Sequence, residues 1–320
     1  LTLVFLVALL ALVAFAVDLG VLTTTRTELQ RSADAAAIAA AWELISWPTG
    51  EGSGGQCQTG LRLGIIDTAV NARHEALEGQ KLEIIGMPGS SGPTNSSAQH
   101  GTAVAALLIG SADSKTPGLL PLASLAAIDP FERVGRDERS SAFAVVKALD
   151  VLTNRNVSVI NMSLAGPHNA LLERLVGRVD EMGVIVVAAA GNDGPRAALA
   201  FPAAFPAVLA VAALDRTKRI YRRSNQGSHI DFAAPGVAIW TAASISGGKA
   251  KTGTSFAAPF VSAAAAIAKA TVPASSPAEV ADALAARALD LGLAGKDPAF
   301  GHGLVQADSY CGSAKGAGPL

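Results

Sequence analysis

The chain has 320 residues, is 50% hydrophobic and carries 25 Lys and Arg against 26 Asp and Glu, a formal net charge of -1. That is enough chain for one large domain with an appendage. The balanced charge leaves no electrostatic footprint for nucleic acid, and aromatics at 5% supply no stacking platform for single strands.

The first element is apolar. Leu1 to Val17 is interrupted only by Thr2, close to the ~17–25 residues that span a bilayer. Ala14-Phe15-Ala16 has the A-x-A form of a signal-peptidase site, which would release a secreted product. The run nevertheless continues through Asp18-Leu19-Gly20 into the Ala-rich stretch 23–46, as in an uncleaved anchor that leads into an amphipathic helix. The expectation is a transmembrane helix over 1–22 and an Ala-rich helix over 23–46, with the rest extracytoplasmic. Pro48 then stops the helix, and Gly50 to Gly55 is a Gly/Ser cluster, so 47–60 reads as a linker.

Beyond the linker, apolar runs of strand length alternate with helical spacing. Leu61–Ile66, Leu122–Ile128, Val157–Met162, Val184–Ala190 and Val208–Leu214 read as strands. Thr102–Ile109, Ala142–Leu152, Ala170–Glu181, the run following Ser255 and Pro277–Leu289 read as helices. Alternation with continuously apolar strands predicts an α/β domain over 61–312, three layers deep, with a mostly parallel sheet between helices; 313–320 is a tail. Ligands of such sheets bind beyond the carboxyl ends of the strands, where Asp67 and Asn192 fall.

Three motifs carry chemistry. Asp67 ends the apolar run Ile65-Ile66, His100-Gly101-Thr102 opens a helix, and Ser255 lies in Gly253-Thr254-Ser255-Phe256-Ala257-Ala258-Pro259 at the mouth of another. Singly each has a bland reading: a strand-end turn, a helix-end histidine, a helix N-cap serine. Together they supply an orienting carboxylate, a general base and a nucleophile. Asn192, in Ala189-Ala190-Gly191-Asn192-Asp193-Gly194, is either a turn former or an oxyanion donor alongside the Ser255 amide. The remaining histidines, His74, His168, His229 and His302, read as surface or structural. His74-Glu75-Ala76-Leu77-Glu78 starts like a zinc-peptidase helix but has Glu at the second ligand position. No G-x-S-x-G elbow, phosphate-binding Gly-Lys-Ser/Thr loop or dense acidic calcium loop occurs.

These motifs, in the order Asp, His, Ser, make the chain resemble the subtilisin-like serine peptidases from about Leu61 to Ala307. The resemblance implies a triad of Asp67, His100 and Ser255, with Asn192 in the oxyanion hole. It also makes Ser163-Leu164-Ala165-Gly166 the substrate-binding edge and Gly301 to Ala307 a closing segment. The departures are Ala69, Ala103, Ala106, Phe256 and Phe260, none of which removes a reacting group. The implied activity is endopeptidase cleavage of a protein or peptide through an acyl-enzyme, with no organic cofactor; calcium is common among relatives, although no site is legible here. Residues 3–44 resemble TadE/TadG-like pilus-assembly proteins, which favours the anchor. The competing expectation is a pilus-associated or surface protein whose peptidase-like domain binds without cutting. Cys57 and Cys311, the only cysteines, flank the domain as two unrelated thiols or as a bridge formed in an oxidising compartment. Oligomeric state is not legible.

Overall fold

The computed structural model describes residues 58–307 apart from 91, 93, 273 and 274, together with 41, 43–45 and 47. The expected transmembrane helix 1–22, nearly all of the Ala-rich helix, Cys57, Cys311 and the tail lie outside the described residues. Among the described residues no helix is long and apolar enough to cross a membrane.

One parallel sheet organises the domain. Its strands are β1 (Arg62–Ile66), β2 (Lys81–Ile85), β3 (Ser124–Ile128), β6 (Val159–Met162), β7 (Ile185–Ala189), β8 (Val208–Leu214) and β9 (Ile230–Pro235). They lie in the order β2-β3-β1-β6-β7-β8-β9. Two antiparallel hairpins stand outside it, β4 (Glu132–Val134) with β5 (Asp137–Arg139) and β10 (Ile239–Ala242) with β11 (Gly248–Lys251). The helices are α1 (Ala98–Ile109), α2 (Ala142–Thr153), α3 (Ala170–Glu181), α4 (Thr254–Thr271) and α5 (Pro277–Ala285).

Side-chain alternation puts helices on both faces. A Cβ added at Gly64 would meet the Leu152 side chain of α2 at 3.0 Å, and Gly64 is level with Ile160 of β6. The next residue, Asn161, points the other way and bonds Ser262 of α4 at 2.9 Å. The central strands are therefore buried on both sides, which is why β7 and β8 are apolar throughout and β1 and β6 carry one polar residue each, Arg62 and Asn161. These strands and the five helices named here, among the described residues, fall close to the runs expected from sequence. α5 ends earlier, at Ala285.

The unexpected strands have weaker patterns. β2 is an edge strand whose polar Lys81 and Glu83 alternate with apolar residues; Glu83 pairs with Arg62 and Arg155. β9 contains Asp231 and ends at Pro235, so no long apolar run betrays it. Trp47, at the head of the expected linker, is buried at 6% exposure and donates its indole N–H to the Leu119 carbonyl at 3.1 Å. Ile45 is fully buried, and its carbonyl accepts from the Ala307 amide. The chain ahead of the domain thus docks on it before 48–57 intervene.

Chain order reverses at β1, which lies between β3 and β6. A crevice opens beyond the carboxyl ends of strands at such a switch. Ile66 is level with both Ile128 and Met162, so Asp67, Asp129 and Ser163 emerge side by side at its floor.

Candidate functional site

Asp67 leaves β1 almost wholly buried, at 3% exposure. Its Oδ1 accepts from the Thr68 amide at 2.7 Å and lies 2.7 Å from His100 Nδ1. Thr68 reaches across as well: its hydroxyl is 3.4 Å from the same oxygen and accepts from the Gly101 amide at 3.0 Å. Asp67 Oδ2 is buried with no partner among the described residues. A buried carboxylate needs compensating donors, and the three on Oδ1 all come from Thr68 and His100.

α1 must approach this loop closely. A Cβ at Gly101 would stand 2.1 Å from the Thr68 carbonyl oxygen and 2.8 Å from that of Ala69, so only glycine fits after His100. Asn71 N–H to Thr102 Oγ1 at 2.8 Å closes a further link.

His100 is about one-third exposed, with a side-chain accessibility of 34%. Burial disfavours its charged form, but the Asp67 charge and hydrogen bond outweigh this and the repulsion of Lys251, so its pKa is raised from 6.5. The ring lies against Phe256, centroids 5.4 Å apart, which places it beside the start of α4.

Ser255 is the second residue of α4, whose N-cap is Gly253. The serine is therefore inside the helix, not its cap. Pro259 has no N–H to give the Ser255 carbonyl four residues back. The Ser163 hydroxyl takes that acceptor at 2.8 Å. Ser163 in turn accepts from Asn161 Nδ2 at 2.9 Å, and Asn161 Oδ1 accepts from Ser262. This buried chain ties β6 to α4. It was not read from the sequence; a polar Asn inside the strand run 157–162 and a Ser inside an Ala-rich helix were its only traces. The Ser255 hydroxyl itself donates to the Ser163 carbonyl at 3.3 Å, and no hydrogen bond joins it to His100.

Asn192 follows β7. Its Oδ1 accepts from the Thr254 amide at 3.0 Å and from the Thr254 hydroxyl at 3.3 Å. The amide donor fixes which end is oxygen, leaving Nδ2 as a donor beside the start of α4. Gly191 has φ +107, and a Cβ there would meet Asn225 Nδ2 at 2.5 Å. Asn225 accepts from the Asp193 amide at 2.9 Å and gives its own amide to the Gly191 carbonyl at 3.0 Å, holding the turn from below. Asn225 was also unread.

Of the expected substrate edge, Ser163 is buried, Leu164 half-buried and Ala165 exposed. Gly166 exchanges both backbone bonds with Phe201. Elsewhere, His74 is fully buried, with Nδ1 accepting from the Ala76 amide and Nε2 beside the Gly247 carbonyl, a structural role. Among the described residues no group of three or more His, Cys, Asp or Glu gathers as metal ligands.

The subtilase family profile matches residues 58–303, and the Flp pilus-assembly TadE/G-like profile matches residues 1–43. Subtilisin DY of Bacillus licheniformis is 32% identical over 259 residues, 78% of this chain and 90% of that protein. The structure of patellamide maturation protease PatA superposes with a TM-score of 0.68 at 28% identity, covering 79% of this chain and 96% of that one. Fervidolysin from Fervidobacterium pennivorans shares the fold, with a TM-score of 0.75 at 24% identity over 86% of this chain and 46% of its own.

Proposed function

The chain belongs to the subtilase family of serine peptidases, and from that premise we propose that it is a membrane-anchored endopeptidase acting through Asp67, His100 and Ser255. The observation that carries this reading is the 2.7 Å contact between Asp67 Oδ1 and His100 Nδ1 at the switch point, beside the helix that bears Ser255. With Nδ1–H donated to the carboxylate, Nε2 keeps its lone pair. The Ser255 hydroxyl turns from the Ser163 carbonyl toward Nε2 when substrate binds; such contacts commonly tighten only in the complex. Oγ attacks the scissile carbonyl carbon as its proton passes to Nε2, and Asp67 stabilises the imidazolium. The tetrahedral oxyanion takes donors from Asn192 Nδ2 and the Ser255 amide, aided by the dipole of α4. Collapse breaks the C–N bond, the proton goes to the leaving amine, and water hydrolyses the acyl-enzyme by the reverse relay. Leu164 and Ala165 pair with the substrate backbone. No cofactor takes part.

Two expected results test the reading. A fluorophosphonate probe labels Ser255 in wild-type protein, while Asn192→Ala still labels but loses ~10²–10³ in kcat, the usual loss for one oxyanion donor. Protein that does not label favours a surface component that binds without cutting, a role motivated by the TadE/G-like match at residues 1–43.

Residues 1–22 are the proposed anchor, holding the domain outside the cytoplasmic membrane near its protein or peptide substrates. The full chain then stays in the membrane pellet after carbonate washing, and protease added to spheroplasts reaches the domain. A soluble mature form beginning at Val17 overturns the anchor.

A further inference from the structure

The hairpin β4–β5 has no packing role that explains it. All of β4 is exposed, and the hairpin pairs with no strand of the main sheet. Its side of the chain is instead fastened to residues 94–97, the segment that leads into α1. Asp129 accepts from the Thr94 and Ser96 hydroxyls, Asn95 Oδ1 accepts from the Arg133 amide at 2.8 Å, and Glu138 Oε1 accepts from the Ser97 amide at 2.9 Å.

The last contact has a specific meaning. Ser97 is the N-cap of α1, and its side chain accepts from the Gln99 amide. In a capping box the third helical residue returns the favour, its carboxylate accepting from the N-cap amide. α5 of this protein does so: Ser276 caps the Glu279 amide at 3.2 Å, and Glu279 Oε2 accepts from the Ser276 amide at 2.6 Å. In α1 the third residue is His100, whose Nδ1 is committed to Asp67. A histidine there leaves the Ser97 amide without its usual acceptor. α1 also has no acidic residue in its first turn to meet the helix dipole. Glu138 supplies both from a different element. Its Oε2 is buried without a partner among the described residues, and the half-buried carboxylate pairs with no cation of the hairpin; Arg139 instead bonds Asp137.

We propose that Glu138 is a positioning residue for His100: it completes, from the hairpin, the capping box that His100 denies to its own helix. The inference rests on the reading of His100 as general base. Removing Glu138 frees the first turn of α1 and loosens the His100 ring relative to Ser255, while Asp129 and Asn95 keep the hairpin attached.

The test uses the full chain with Glu138→Ala, Glu138→Gln and, as control, Glu132→Ala on the same hairpin. Steady-state kinetics on a peptide, the rate of fluorophosphonate labelling and Tm are read together. Glu138→Ala is expected to lower kcat and the labelling rate about ten-fold with KM within about two-fold, short of the ~10²-fold typical of an ångström's misplacement. Glu138→Gln keeps an acceptor oxygen and retains near wild-type kcat, as does Glu132→Ala. Should the alanine variant prove unstable, Glu138→Met, which keeps the stem and removes only the acceptor, must show the same loss. Unchanged kcat in the Ala or Met variant, a raised KM at constant kcat, or a glutamine variant as slow as alanine overturns the proposal. Failure of the His100 reading looks different: wild-type protein then labels no faster than its own His100→Ala variant.

Discussion

Ser255→Ala is expected to abolish peptide cleavage and probe labelling together, with the fold retained. The loss in kcat should be on the order of 10⁶, the figure known for removal of the nucleophile in a related subtilisin. The structure explains why the fold survives. The Ser255 hydroxyl makes one weak bond, 3.3 Å to the Ser163 carbonyl, whereas the bond that anchors this turn of α4 uses the Ser255 carbonyl and the Ser163 hydroxyl. The side chain is dispensable for folding, and the backbone is not. A variant that retained cleavage would show that another group is the nucleophile.

Asp67→Asn is expected to cost ~10⁴ in kcat, because an asparagine amide can hold the imidazole in the wrong tautomer. Its pH profile carries more information than its rate. His100 must be neutral to accept the proton, so kcat/KM rises with pH through the pKa of His100. Asp67 raises that pKa from 6.5 against burial and Lys251, both of which lower it. The acid limb of wild-type protein therefore lies above pH 6.5 and moves below it once the carboxylate is gone. A limb that stays in place or moves up in the variant would remove Asp67 from its assigned role.

The same residues show what can be read without coordinates. Strands buried on both faces leave largely apolar runs, so β1, β6, β7 and β8 were visible, and the proposed reacting residues fell at their ends or at helix starts. The edge strand β2 carries Lys81 and Glu83 because one side meets solvent, and a half-polar run of five residues resembles a loop. The hairpin β4–β5 was not read from sequence, because nothing in its short charged strands says what it touches.

Local sequence determined the chemistry available: an acid, a base and a hydroxyl, each marked by the small residues that allow close approach, such as Gly101 against Thr68. That information is local because sterics and backbone geometry act between near neighbours. The arrangement of supports was decided only in three dimensions. Asn161, Ser262, Asn225 and Glu138 act on partners 101, 101, 32 and 41 residues away in the chain. A hydrogen bond across such a separation leaves no periodicity, since its geometry depends on how the sheet brings distant strand ends together.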